Sequence, residues 1–267
     1  PSDFGMRSDP PTHPELLDYL AARFVEGGWS IKQAQRLIML SSTYQMSDAE
    51  NPQGRKIDPE NLLLWRMNPR RLELEPLRDA MLAVSGQLDL KMGGPAVEIT
   101  RPPYTPRRTV YGFIERQNLP GLFRNFDFAS PDATNAQRHE TTVPQQALFM
   151  MNSPFVIDQA RHVAARPDVA GMTDPARRVR YLYRLLFGRL PTAEEVSIGL
   201  QFVQTAAGGQ TAAASVPGVA NLPHAVQASA IAAAQAGSSL TAAPQSLSPW
   251  EQYVQVLLMT NEFAFVD

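Results

Sequence analysis

A chain of 267 residues has room for one large hydrophobic core or two small ones, and its apolar share of 44% is ordinary for either. A net charge of −2 supplies no global field toward nucleic acid or an anionic membrane. The absence of cysteine excludes disulfides, thiolate metal sites, a cysteine nucleophile and covalent c-type haem attachment within this chain.

No apolar run approaches the roughly 18 residues that span a bilayer, and no signal-peptide pattern opens the chain. The start at Pro1, without an initiator methionine, reads as a fragment whose targeting signal, if it has one, lies upstream.

In chain order, the first predicted helix follows Thr12, which stands three residues before Glu15 in the spacing of a capping box. Leu16, Leu17, Leu20 and Phe24 share one face of it, and Gly27 and Gly28 end it. Ser30 with Gln33 starts the next helix in the same way, with Leu37 and Ile38 as its buried stripe. Residues 45–60 hold Pro52, Gly54 and Pro59 and read as an exposed connection. A third helix is predicted from about Glu73 to Ser85. Pro76 is tolerated there only in the first turn, where its missing N–H costs nothing, and Gly86 is the expected stop.

Residues 91–108 change character, because Gly93, Gly94, Pro95, Pro102, Pro103 and Pro106 rule out regular helix. Thr109–Arg116 is the best predicted strand, rich in β-branched and aromatic residues, with Ala96–Thr100 as its nearest partner. Residues 117–143 form a long loop, which Phe123, Phe126 and Phe128 are expected to pin to the core.

Helix returns at Pro144, with Leu148, Met151 and Phe155 on one face. Asn152-Ser153-Pro154 interrupts it, and Ser153 is placed to cap a second helix. Asp174-Pro175 opens the next, with Val179, Leu182 and Leu186 as its stripe and Gly188 as its stop. Thr192 and Glu195 make a further capping box, followed by Val196, Leu200 and Val203. No Asp, Glu, Lys or Arg occurs between Glu195 and Glu251. Residues 204–247, dominated by Ala, Gly, Ser, Gln and Pro, read as a flexible insertion in which Ala225–Ala236 has helical propensity. Ser248-Pro249-Trp250-Glu251 opens a last helix, within 248–267, that packs back on the domain through Trp250, Val254, Leu257 and Leu258.

Several strings then stand out together: Pro1–Gly5 (PSDFG), Pro11–Leu17 (PTHPELL), Gly28–Ser30 (GWS), Arg70–Glu75 (RRLELE) with Arg78-Asp79, Thr141–Phe155 (TTVPQQALFMMNSPF), Phe187–Glu195 (FGRLPTAEE) and Asn261–Phe263 (NEF). In this order the chain resembles the planctomycete-type C-terminal domain of unknown function, over nearly its whole length except the Ala-rich insertion. In that family the domain usually follows a c-type haem domain and a second uncharacterised domain in large exported proteins. The resemblance implies an extracytoplasmic setting, haem in a separate upstream domain, the preceding domains as partners, and a short N-terminal piece of the family domain lying before Pro1. It also carries an association with bacteria that degrade complex polysaccharides. It supplies no catalytic residues to carry over.

The candidate site of the sequence is the loop from Arg116 to Thr142. It carries Arg116, Arg124, Asp127, Asp132, Arg138, His139 and Glu140, with Thr141 and Thr142 before the next helix and Gln145 and Gln146 in its first turn. A helix N-terminus offers free N–H groups and partial positive charge to an anionic group. Asp127 and Asp132 are of the type that serves acid/base hydrolysis or holds a hard cation. The competing reading is structural, with arginines and aspartates tying the loop down and the phenylalanines anchoring it.

A second constellation is Arg70, Arg71, Glu73, Glu75, Arg78 and Asp79, with Arg71, Glu75 and Asp79 at helical spacing. It reads either as an ionic cluster facing a pocket or as a helix start with surface ion pairs. Residues 101–124 hold five arginines and one glutamate among aromatics, a pattern that suggests single-stranded nucleic acid. The net charge and the scarcity of lysine argue against that partner. His13, His139, His162 and His224 lack metal-ligand spacing, and no phosphate loop, dinucleotide fingerprint or nucleophile elbow is present. The scattered methionines read as core filler rather than haem ligands.

The sequence therefore predicts a mainly α, α-dominant α+β fold: a helical bundle over 1–203 with a small β element near residues 96–116, then the insertion and the C-terminal helix. The preferred function is an accessory or docking module of an exported, haem-bearing multidomain protein. It binds no metal or cofactor of its own, no nucleic acid, and a glycan at most. The rival is a polysaccharide-acting enzyme with Asp127, Asp132 or Glu140 as acid/base and arginines gripping anionic sugar. A purely structural domain is the third reading.

Overall fold

The computed structural model of the chain describes residues 8–135, 138–213 and 246–266. The fold is α-dominant, as the periodicities predict. The chain divides into two compact, interleaved units. Unit 1 comprises Pro1–Leu77, Ile114–Val143 and Ala264–Asp267; unit 2 comprises Arg78–Phe113 and Pro144–Phe263.

Unit 1 opens with helices α1 (Pro14–Glu26) and α2 (Ile31–Met39). The Thr12–Glu15 capping box does not form: His13 is the N-cap and makes no side-chain cap bond, while the Thr12 hydroxyl pairs with the His13 ring. Gly27 and Gly28 end α1 as expected, Gly28 at φ +72°. Ser30 caps α2 by accepting from the Gln33 N–H at 3.4 Å. Neither helix buries a residue: Leu16, Leu17, Leu37 and Ile38 remain 46%, 56%, 37% and 42% exposed. Their amphipathic spacing is real, but their apolar face lines open grooves.

The expected connection 45–60 contains a short helix, α3 (Pro52–Ile57), whose N-cap Asn51 accepts from the Gln53 and Gly54 N–H groups. Buried Asp58 then accepts from the N–H of Leu62 and of Leu63, which shapes the turn that follows. β1 (Arg70–Arg71) pairs antiparallel with β2 (Phe265–Val266), Arg70 opposite Val266 and Arg71 opposite Phe265. The 117–143 loop is pinned as predicted: α5 (Gly121–Asn125) and the residue after it bury Phe123 and Phe126, and Phe123 meets Phe128 edge-on at 5.0 Å.

Helix α4 (Leu74–Val84) gives Leu74–Leu77 to unit 1 and the rest to unit 2, and Gly86 stops it at φ +76°. In unit 2, α6 (Pro144–Asn152) buries Gln146 and Met150. Leu148 and Met151, the expected inward face, are exposed; α6 turns Gln146 and Met150 inward instead, and Phe155 belongs to the next helix, beyond Ser153. Ser153 is the N-cap of α7 (Pro154–Ala165) without a side-chain cap bond.

The centre of unit 2 is α7, with Phe155, Val156, Ala160 and Val163 buried, against α11 (Pro249–Leu258), with Tyr253, Val254, Leu257 and Leu258 buried. Short α8 (Pro167–Ala170) leads into α9 (Pro175–Phe187), which Asp174 caps and left-handed Gly188 ends. Val179, Leu182 and Leu186 are its buried stripe. α10 (Ala193–Ala213) starts at the predicted Thr192–Glu195 capping box and continues ten residues past Val203; 214–245, including the Ala225–Ala236 stretch, lie outside the described residues. α11 opens at Ser248 as predicted, with a Ser248–Glu251 capping box, and α12 (Asn261–Ala264) follows.

The strand predicted over Thr109–Arg116 does not form. Thr109–Tyr111 is a 3-10 turn, and pairing with 96–100 reduces to one isolated bridge, Val97 to Gly112. The reason is competition for backbone groups. The Thr109 N–H goes to the Asp79 carboxylate at 2.7 Å, and the Thr105 and Arg107 carbonyls accept from buried Arg78 at 2.7 and 3.0 Å. A side chain on α4 thus takes the N–H at the start of the predicted strand, and Arg78 fixes the segment that leads into it.

Candidate functional site

The loop 114–143 of unit 1 is stapled by its charged residues. Asp127 holds a left-handed backbone, φ +55°. Its carboxylate accepts from the Thr141 N–H at 2.8 Å and from the Thr141 hydroxyl at 2.8 and 2.9 Å, closing the loop across 14 residues. Arg138 reaches back to the start of α4, donating to Glu73 at 2.7 Å and to both Glu75 oxygens at 2.8 Å, with its guanidinium over Phe128 at 4.6 Å. The Glu75 hydrogen bonds raise the Arg138 pKa, so this cation is locked on.

Arg70 donates to Glu140 at 2.6 Å, which raises the Arg70 pKa. Arg71 donates to the Thr141 carbonyl at 3.3 Å and lies over the Phe126 ring. Its partial burial lowers its pKa, and the Asp127 charge works against that. Two groups of residues that the sequence presents separately, 70–75 and 127–141, therefore form one ionic network within unit 1.

Arg116 and Asp132 meet at 3.6 Å with both side chains exposed, and Arg124 donates to the Leu119 carbonyl. His139 and Thr142 are exposed. Gln145 (exposed) and Gln146 (buried) belong to unit 2. Arg78 and Asp79 also belong to unit 2, where they organise 105–109. Helical proximity of Arg71 to Glu75 and Asp79 is corrected: Arg71 sits in β1, ahead of α4.

The chemistry open to the network is limited by these bonds. The network's carboxylates are engaged by arginine, hydroxyl or backbone donors within the unit, which suits a staple. Among the described residues no group of three His, Asp or Glu side chains is placed to hold a metal ion, and no helix is long and apolar enough to cross a membrane. With no thiol in the chain, the donor set does not fit a covalently attached haem.

A second feature of unit 1 is the face of α1 and α2 that helical spacing predicts as buried. The α1–α2 hairpin lines two adjoining apolar grooves, of about 720 and 580 Å³, which share Leu20, Leu37 and Ile38. The second extends over Leu16, Tyr19 and Met67, and its two arginines, Arg66 and Arg70, are paired with Glu50 and Glu140 at 3.6 and 2.6 Å. Trp29 projects from the hairpin turn, 67% exposed, on a left-handed backbone at φ +61°. The amphipathic spacing of α1 and α2 was the available signal; only the packing separates a core stripe from an open groove.

The family model described as PSD1, a protein of unknown function (DUF1553), matches residues 1–203, and the chain belongs to this family. No curated protein and no solved structure matches the chain.

Proposed function

We propose that this DUF1553 member is an accessory docking module, without a reaction of its own, whose α1–α2 grooves receive an amphipathic helix from the preceding domains of an exported, haem-bearing parent protein. The single observation that carries the reading is that two whole helices of the unit bury none of their residues, while Leu16, Leu20, Leu37 and Ile38 line continuous apolar grooves. Apolar surface of this kind is costly to leave in water and marks interaction faces. The lining of the 580 Å³ groove by Leu16, Leu20, Leu37, Ile38, Leu63 and Leu64 favours a helix with apolar anchors one turn apart. The haem domain and the extracytoplasmic setting enter through the resemblance alone.

A polysaccharide-acting centre in the 116–146 loop has less support. Asp127 is committed to Thr141 and Glu140 to Arg70, and the partner of Asp132 is an exposed arginine.

The test is amide hydrogen exchange of residues 14–39 in the parent protein and in this chain alone. Strong extra protection in the parent, removed by Leu37→Asp with Ile38→Asp, is the expected result. Equal exchange in both contexts would overturn the docking role.

A further inference from the structure

A hairpin of two amphipathic helices needs a second layer to bury its apolar face. Helices α1 and α2, joined by residues 27–30, present such a face, with Leu16, Leu37 and Ile38 exposed along it. Two hairpins laid face to face make a four-helix bundle, the smallest arrangement that closes this surface with one kind of chain.

The charges of the hairpin are self-complementary. α1 carries Glu15, Asp18 and Glu26 against Arg23, a net −2, and α2 carries Lys32 and Arg36 and no acid, a net +2. All six side chains are on exposed residues. Glu26 has one local partner, Arg23 at 3.4 Å, and no described residue pairs with Lys32 or Arg36. Arg23, Glu26 and Arg36 line the larger groove beside Leu20, Leu37 and Ile38.

Face-to-face pairing admits two two-fold arrangements. An axis along the hairpin sets each α1 on the partner's α2. An axis across it sets α1 on α1 and α2 on α2. The first brings net −2 against net +2 at both helix pairs, while the second brings like charges together, which opposes association. We infer that a second copy of this chain covers the α1–α2 face, in a two-fold bundle with each α1 on the partner's α2. The self-pairing stands on the charges of the hairpin itself. Its consequence rests on the docking reading: the second copy and the helix from the preceding domains compete for one face, so self-pairing is a reversible cover that docking displaces.

The test is sedimentation velocity of the full chain from about 1 to about 200 µM, at low and at physiological ionic strength. A concentration-dependent equilibrium of monomer and dimer is the expected result. Glu15→Lys/Glu26→Lys reverses the net charge of α1, and Lys32→Glu/Arg36→Glu reverses that of α2. Each double variant alone should dimerise about tenfold more weakly or worse, and an equimolar mixture of the two should form a heterodimer. The chain with all four substitutions should dimerise as the unsubstituted chain does. Melting temperatures of dilute samples should change little, because these positions are exposed. The inference is overturned if the chain stays monomeric throughout that range, if the reversals leave self-association unchanged, or if the mixture does not associate. The docking reading fails separately, on the exchange comparison made below the concentration at which the chain dimerises.

Discussion

Arg138 and Glu75, 63 residues apart in the chain, form a two-pronged ion pair with both nitrogen–oxygen distances at 2.8 Å. The pair joins the long loop of unit 1 to the first turn of α4, and both side chains are about three-quarters buried. Its geometry depends on the planar fork of arginine. Arg138→Lys is therefore expected to lose most of the coupling despite keeping the charge. A double-mutant cycle with Glu75→Gln, read by urea denaturation, should give a coupling of about 1–2 kcal/mol. A coupling near zero would show that this pair does not help to hold the loop.

Acid should weaken unit 2 at its C-terminal clamp. Arg189 donates to Glu195 at 2.6 and 2.9 Å, and the Thr192 N–H adds a bond at 2.7 Å. Led by the Arg189 bonds, these hold the Glu195 carboxyl at about 2, from an ordinary value of 4.5. The unfolded chain binds the proton first, so this stabilisation is complete above pH 4.5 and is lost as pH falls toward 2. Urea titrations from pH 6 to pH 2.5 should show a smaller acid slope in Glu195→Gln than in the unsubstituted chain.

Gly199 allows α10 to approach α11. A Cβ at this position would lie 2.9 Å from Tyr253 Cζ, closer still to the hydroxyl, and 3.3 Å from Val179. Gly199→Ala is expected to cost about 1–3 kcal/mol by overpacking. Adding Tyr253→Phe should recover part of the loss, because the hydroxyl is the nearest obstacle. Thermal melts of the two single variants and the double variant measure this.

The leucines of α1 offer a direct contrast between pattern and packing. Leu16→Ala and Leu17→Ala should each change the stability of the isolated chain by less than about 1 kcal/mol, as at other exposed positions. Leu258→Ala, at a fully buried site, should cost about 2–5 kcal/mol. Equal losses at all three would mean that α1 packs into a core.

Much of the helical architecture was legible along the chain because its signals are local. Thr192 caps its helix as expected, and Asp174 and Ser248 cap the helices predicted to open at them, since each bond joins residues two or three apart. Gly86 and Gly188 stop helices through their own positive φ. Val179, Leu182 and Leu186 are buried where the helical period puts them. The candidate loop was legible in part: its anchoring phenylalanines followed from composition. Its ionic partners did not, since Arg138 carries no local mark that it will reach Glu73 and Glu75.

By itself the sequence determined where helices begin and end, because caps, turns and stripes act over a few residues at energies that neighbouring side chains supply. Tertiary structure alone decided which apolar stripes are buried and which donors a backbone group meets. Leu37 and Leu182 have the same helical spacing, yet one lines an open groove and the other is fully buried. Thr109 has strand-forming neighbours, yet its N–H is taken by Asp79, 30 residues earlier. Burial and hydrogen-bond competition depend on what lies opposite in space, and periodicity along one chain segment carries no information about that surface.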